Sequence, residues 1–278
     1  MTGRMQVNMG VIGCGAMAAT MMQALRAAGM RFPTLTFLVP EGSAARARSR
    51  IGEWHDGDAS PGVVTTCDAF MAARPDIVVE CASQQAVMLH GPDVLAAGVP
   101  LVLASVGALA DDDVRTSLQR AASRGGTRYL VAPGAIGGLD VLSAARMSGL
   151  HDVTYNSRKP PQAWRGTLAE KEISLEALSA PEVFFDGTAR TAALQYPKNA
   201  NVAAAIALAG AGFEKTRVRL IADPGITGNI HEIIFDSGCT TVSIRLEGRA
   251  SPDNPRTSLT AGYSLARLVI NHVACEVT

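Results

Sequence analysis

Over the first half of the chain, short apolar runs alternate with stretches of helical spacing. Residues 7–12, 35–39, 77–81, 101–104 and 128–131 have the length and β-branched content of buried strands, and a weaker run lies at 63–66. Between them, helical patterns occupy 16–28, 43–50 and 84–97, and Asp111–Asp113 open another that runs to about Ser123. A brief helix after the weak run has Asp68 as its expected cap. Gly29 and Gly98 follow two of the helices, as expected of residues that end helices in a left-handed turn. Strands separated by helices form βαβ units, which predict a parallel sheet covered on both faces.

After Gly138 the rhythm changes. A helix over 139–148 leads to strand-like 152–155, and Pro160 and Pro161 then mark a loop. Residues 183–185 read as a strand, 188–194 as a short helix and 201–211 as an Ala-rich helix. Three strand patterns then follow in succession, at 217–222, 231–236 and 240–246, with Asp236-Ser237-Gly238 as a hairpin signal between the last two. Strands without intervening helices predict an antiparallel sheet, so the fold class is α/β, a Rossmann-type domain followed by an α+β domain. The tail from Ser258 to His272 returns to helix, with Leu259, Leu265, Leu268 and Val269 near one face. The expected divisions are 1–138 for dinucleotide binding, 139–252 for substrate and dimerisation, and 253–278 for a C-terminal helix that packs back on the first domain.

Composition narrows the function classes. The 278 residues carry 25 Lys+Arg and 25 Asp+Glu, which gives no basic excess for a nucleic-acid partner. Hydrophobic residues make up 47% and charged residues 18%, in keeping with large packed cores. The longest weakly polar run, 202–213, falls short of the ~20 apolar residues a spanning helix needs. The N-terminal stretch, with a second Met at position 5, enters a glycine-rich turn without the apolar core of a signal peptide. Five scattered cysteines without a CxxC pair predict a reducing cytoplasm, no disulfide framework and no metal site.

Chemistry first enters at Gly13-Cys14-Gly15-Ala16-Met17-Ala18, a GxGxxA sequence between a strand and a helix. Gly13 permits the tight turn, Gly15 lets backbone approach a pyrophosphate, and Ala18 lets helix and strand pack closely. The helix start at Ala16 and Met17 supplies N–H donors for phosphates. Which dinucleotide binds is open. The second strand ends at Val39-Pro40 with Glu41 one step later, and Arg46, Arg48 and Arg50 follow, either as readers of a 2′-phosphate or as a solvated helix face. Acceptance of both NAD and NADP is the expectation. In an open α/β sheet ligands lie beyond the carboxyl ends of the strands, where Ser83, Ser105 and the run Ala132 to Gly138 leave room for the nicotinamide half. That last run reads equally as a domain hinge.

Two further clusters lie in the second half. His231 stands where a Gly/Thr/Asn loop, 225–229, enters an apolar strand. Its ordinary pKa of about 6.5 suits proton transfer, although a histidine at such a boundary also has many structural uses. Glu232 would point to the opposite face of the strand. Tyr196-Pro197-Lys198-Asn199-Ala200-Asn201 stands at the entrance to the Ala-rich helix. Asn201 is a natural N-cap and also a candidate contact for a carboxamide or carboxylate. Lys198 and Asn199 are the substrate-binding candidates, with Arg158 and Lys171 as further cations.

VIGCGAMA at 11–18, PGAIGGLD at 133–140, YPKNANVAA at 196–204, DPGITGNIHEI at 223–233 and NPRTSLTAGYS at 254–264 resemble, in this order, the L-aspartate dehydrogenase family. That family is related to homoserine dehydrogenase through its nucleotide-binding domain. The resemblance implies His231 as the proton-transfer residue and Ala135 and Asn201 as contacts of a bound NAD or NADP. It further implies oxidation of L-aspartate to iminoaspartate, reversed as reductive amination of oxaloacetate with ammonia, in the service of NAD biosynthesis. A homodimer paired through a sheet edge is expected. Two alternatives stay open: a dehydrogenase or imine reductase for another small amino acid, and a non-catalytic NAD(P)H sensor.

Overall fold

The computed structural model describes residues 6–52, 54, 61–197, 201–251 and 254–277. They form two compact units, one of residues up to Ala132 together with Ala261 onward, the other Pro133–Thr260.

The first unit is a six-stranded sheet: β1 (Met9–Ile12), β2 (Leu35–Leu38), β3 (Gly62–Val64), β4 (Ile77–Glu80), β5 (Leu101–Leu103) and β6 (Tyr129–Val131). All neighbours pair in parallel, in the order β3-β2-β1-β4-β5-β6. This is the doubly wound order, whose reversal between β1 and β4 opens a crevice at the strand ends. The connecting helices are α1 (Ala16–Ala27), α2 (Ala44–Gly52), α3 (Cys67–Ala72), α4 (Gln84–Ala96) and α5 (Asp112–Gly125). Asp111 caps α5 by accepting from the N–H groups of Asp113 and Val114, and Gly126 ends it in the left-handed region. One expected cap is corrected. Thr66, not Asp68, caps α3, accepting from Ala69 N, and Asp68 sits in the first turn where its charge favours the helix dipole.

Every residue of β1, β2, β4 and β5 is buried, which accounts for their unbroken apolar runs apart from Thr36 and Glu80. Met21, Met22 and Leu25 of α1 pack on this sheet, and Leu265, Ala266 and Val269 of the last helix join the same core.

The second unit begins with α6 (Leu139–Ala145) and β7 (Leu150–Lys159), followed by α7 (Ala169–Glu172), β8 (Glu182–Thr188), α8 (Ala189–Gln195), α9 (Asn201–Ala209) and β9 (Arg217–Ala222). β10 (Ile230–Ser237) and β11 (Thr241–Glu247) then form the expected hairpin. A two-stranded pair, β12 (Ala250–Ser251) and β13 (Asn254–Ser258), precedes α10 (Leu259–Val273).

The five-stranded sheet has the order β11-β10-β7-β9-β8. It is antiparallel except for β7 and β9, which run parallel, so the sheet is mixed. The connection through α8 and α9 supplies the crossover a parallel pair requires. β7 is also longer than its apolar core predicts. Asn156-Ser157-Arg158-Lys159 looks like loop sequence, yet it is central strand paired on both sides.

Candidate active site

At the head of β1 the chain turns through Gly13 with φ +100°, and an added Cβ there would come within 2.8 Å of Ala82 Cβ. Gly13 N–H donates to Leu38 O and so fixes the turn to β2. Gly15 precedes α1 in extended conformation, and among the described residues beyond its chain neighbours no atom lies within 4 Å of where its Cβ would stand. No side chain caps α1, and its first turn carries no acidic residue. Open space over a glycine, followed by a helix start free of negative charge, fits a pyrophosphate, with Ala16 and Met17 half-buried at the helix entrance. Arg50 is not a solvated face residue: its Nη1 donates to Cys14 O at 3.0 Å and braces the turn from α2. Arg46 also acts on Cys14, opposing the rise that burial imposes on that thiol.

The next strand ends are organised by Glu80, a residue the sequence pattern did not single out. It is wholly buried at the last position of β4. Oε1 accepts from Ala82 N at 2.7 Å, Ser83 N at 2.9 Å and Ser105 Oγ at 2.9 Å, and Oε2 accepts from Ser105 N at 2.9 Å. One carboxyl group therefore sets the loops after β4 and β5. Burial raises its pKa, although those hydrogen bonds oppose the rise. Ser83 and Ser105 thus have structural partners. The Ser83 hydroxyl caps α4 through Ala86 N, and the Ser105 hydroxyl donates to Glu80.

In the second unit, strand alternation places Tyr155, Ser157 and Lys159 of β7 on one face. His231 lies opposite Ser157, and Ile233 opposite Tyr155, so the histidine shares that face. All five residues are buried. Tyr155 Oη lies 2.6 Å from His231 Nδ1, and the two rings are nearly parallel at 7°. Burial first, and the Lys159 charge second, lower the His231 pKa to about 3. Burial also lowers Lys159 to about 8, and its ammonium lies 5.1 Å from the centre of the Trp164 ring.

The opposite face holds a different set. Asn156 Nδ2 donates to Glu232 at 2.7 Å, which confirms that Glu232 points away from His231. Arg158 Nη1 donates to Asp223 Oδ2 at 2.9 Å, and Asp223 also accepts from Gly225 N at 2.8 Å. Asp223 therefore ties down the loop that delivers His231 to β10. Burial pushes its carboxyl up, but Arg158 and Gly225 N–H together hold it below the ordinary value.

The loop carrying Ala135 lies close by in the same unit. A Cβ on Gly134 would be 3.8 Å from Val202 Cγ2 at the start of α9, and one on Gly137 would be 3.9 Å from Leu246 Cδ2. Leu246 pairs with His231 in the β10–β11 register. Gly138, at φ +78°, lies so close to Ile244 Cδ1 that a side chain there would have to push the isoleucine aside and hold a strained backbone as well. These approaches bring the glycines flanking Ala135 to the start of α9 and to the β11 neighbour of His231. Asn201 stands at the start of α9, and the expectation that it caps the helix turns on the positions just before it, which lie outside the described residues. Lys198 and Asn199 lie outside the described residues, and Lys171 is exposed on α7. Tyr155 and Lys159 escaped the sequence reading because the expected strand stopped at Tyr155. Period-two alternation continued to Lys159 was the signal available.

The chain is similar to known proteins over nearly its whole length. A family model described as the C-terminal part of aspartate dehydrogenase matches residues 140–272. Another, described as the NAD binding domain of homoserine dehydrogenase, matches residues 13–132. L-aspartate dehydrogenase of Pseudomonas aeruginosa is 40% identical over 269 residues, covering 96% of this chain and 97% of that protein. The enzyme of that name from Ruegeria pomeroyi is 52% identical over 192 residues, 69% of this chain and 70% of its own. The crystal structure of aspartate dehydrogenase from Thermotoga maritima matches with a TM-score of 0.72 at 26% identity, covering 98% of this chain and 99% of that one.

Proposed function

Because the chain belongs to the aspartate dehydrogenase family, we propose that His231 is the proton acceptor when it oxidises L-aspartate. The protein is an NAD(P)-dependent amino-acid dehydrogenase acting on L-aspartate, with iminoaspartate as product and reductive amination of oxaloacetate as the reverse reaction. NAD or NADP is its cofactor, and the cradle at Gly13, Gly15 and the start of α1 suits the pyrophosphate of either. When bound, the nicotinamide supplies the hydride acceptor.

The protein's own contribution is to hold Cα in place and to manage protons and charge. The substrate amine gives up a proton to His231 Nε2, and loss of hydride from Cα leaves the carbon–nitrogen double bond. His231 is kept neutral in the resting protein by burial and by Lys159. A substrate bearing two carboxylates brings negative charge to offset that of Lys159, which raises imidazole basicity as the substrate arrives. Ala135 and Asn201 serve as contacts for the nicotinamide end, Ser83 and Ser105 line the strand ends, and Lys198 and Asn199 take the substrate carboxylates.

The observation that carries the assignment is the buried imidazole at the start of β10, held at Nδ1, with the loop of Ala135 approaching its β11 neighbour Leu246. The test is absorbance of reduced cofactor on mixing the protein with L-aspartate and NAD or NADP. Homoserine, alanine and glutamate are the controls, and no reduction is expected with them. His231→Ala should keep its affinity for NADH while losing most turnover; an unchanged kcat removes His231 from the mechanism.

The reading extends to a homodimer, a reducing cytoplasmic setting and a role in NAD biosynthesis. β11 and β8 are the edges of the second sheet, and a second copy would cover such an edge. All five cysteines are free, and among the described residues no helix is long and apolar enough to cross a membrane. Sedimentation at micromolar concentration tests the dimer, and a single species at the monomer mass ends that part.

A further inference from the structure

Among the described residues His231 is fastened at one nitrogen only. Its Nδ1 lies 2.6 Å from the phenol oxygen of Tyr155, whose side chain is fully buried beside it. A neutral imidazole has one N–H and one lone pair, so this contact decides which nitrogen carries the proton. If the phenol donates into Nδ1, the proton sits on Nε2, which then has nothing with which to accept from an amine. If Nδ1–H donates to the phenol oxygen, Nε2 holds the lone pair, and the phenol proton needs another acceptor.

The same face of the sheet offers one. Ser157 lies two residues along β7 from Tyr155 and directly opposite His231. Its hydroxyl is buried and has no hydrogen-bond partner among the described residues. Ser157 counters part of the rise in pKa that burial imposes on that phenol. The two hydroxyls do not meet hydrogen-bond geometry here, so the serine is an acceptor left open for the phenol proton. That rise keeps Tyr155 a neutral phenol, so it orients the imidazole without stabilising an imidazolium as a carboxylate would. Among the described residues, Tyr155 and Lys159 are the titratable groups that act on His231 from β7, and Leu246 is its apolar neighbour on β11.

We propose that Tyr155 is a positioning residue for the proton transfer, accepting from Nδ1–H of His231 and directing its own proton to Ser157, so that Nε2 presents its lone pair to the substrate amine. The proposal rests on the reading of His231 as proton acceptor. It goes beyond that reading by naming the nitrogen used and the residue that selects it.

The experiment pairs nitrogen NMR of protein labelled with ¹⁵N-histidine with kinetics of Tyr155→Phe, a change that keeps the stacked ring and removes only the oxygen. The His231 signals are identified by their loss in His231→Gln. The expected wild-type spectrum has a protonated Nδ1 and an unprotonated Nε2. In Tyr155→Phe, kcat should fall by at least about tenfold, part of the ~10²–10⁴ that a positioned proton-transfer group supplies. The KM for aspartate and the affinity for NADPH should stay within about twofold of wild type, since the oxygen removed is the one that faces His231.

A proton on Nε2 in the wild type, or a wild-type kcat in a folded Tyr155→Phe, overturns the proposal. Should Tyr155→Phe fail to fold, the wild-type spectrum decides alone. The underlying reading fails separately, through full turnover in His231→Gln. Lost turnover in that variant together with a proton on Nε2 keeps His231 and discards Tyr155.

Discussion

At the head of β1 the working parts are backbone: a turn through Gly13, an uncovered Gly15 and the first N–H groups of α1. On β7 and β10 they are side chains, with Tyr155, Ser157, Lys159 and His231 set side by side by strand register. In the proposed function the first arrangement takes a ligand whose phosphates look alike in every dinucleotide, for which a fixed curve of amides is enough. The second, in the same proposal, must distinguish one amine and move one proton, which calls for particular functional groups at particular distances. The difference also affects robustness. A backbone cradle tolerates many substitutions around it but none that add bulk at its glycines, whereas the side-chain row depends on each member's chemistry.

The largest expected effect lies under the first region. Glu80→Ala leaves three N–H groups and the Ser105 hydroxyl without their acceptor in a buried place. Each lost partner costs about 1–3 kcal/mol, and partial rearrangement keeps the total nearer about 3 kcal/mol. Thermal unfolding should show a fall of about 6–12 °C, at roughly 2–4 °C per kcal/mol for a protein of this size. A Tm within about 2 °C of wild type would mean that the strand ends do not depend on this carboxyl group.

Gly15→Val isolates the cradle from stability. The residue is extended and nothing stands near its missing side chain, so the variant should fold with an unchanged Tm. Its branched side chain would occupy the space a pyrophosphate needs. Affinity for NADH should weaken about 100-fold, which is about 2.7 kcal/mol. Equal binding by fluorescence titration would show that the phosphates lie elsewhere.

The contrast between the regions also explains what could be read from the chain. The βαβ half was legible because each of its signals is local: Gly29 and Gly98 after their helices, Asp111 before α5, GxGxxA between β1 and α1. The last two residues of the buried row on β7, by contrast, sit in Asn156-Ser157-Arg158-Lys159, whose polarity suggests a loop. Only pairing with β9 and β10 on both sides makes that segment a buried strand. Tyr155 and His231 are 76 positions apart, and no spacing rule connects residues joined through strand register. The parallel β7–β9 pair was hidden for the same reason, since strand direction depends on the route of the intervening chain. His231 was visible as a candidate, but its setting was not. Glu80 was hidden inside an otherwise apolar run, where a single carboxylate gives no sign of its four donors.

Within the side-chain row, Lys159→Met sharpens the account of His231. The Lys159 charge opposes protonation of the imidazole, so removing it should raise the His231 pKa from about 3 toward the ordinary value, with burial still holding it below. The sign for stability follows from proton uptake. The folded pKa lies below the unfolded one, so the unfolded chain binds more protons as pH falls from about 6.5 toward 3, and folded stability declines over that window by up to about 1.4 kcal/mol per pH unit. Lys159→Met should narrow the window and flatten the decline. Histidine NMR titration combined with urea unfolding at several pH values measures both effects. An unmoved His231 would mean that burial alone keeps it neutral.

The smallest effect tests the division of the sheet into two faces. Arg158 sits between Ser157 and Lys159 in sequence, yet alternation turns it away from His231 and toward Asp223. From its charge alone it was one of the candidate cations for a substrate carboxylate. Its geometry gives it the task of steadying the loop before β10, a task that Asp223 shares through Gly225 N. Arg158→Gln should therefore cost about 1 kcal/mol of stability, as expected of a half-exposed ion pair, and leave the KM for aspartate within about twofold. A KM raised tenfold or more, with kcat preserved, would show that the guanidinium reaches the substrate. The two faces of β7 would then no longer be separable into one that supports the loop and one that performs the chemistry.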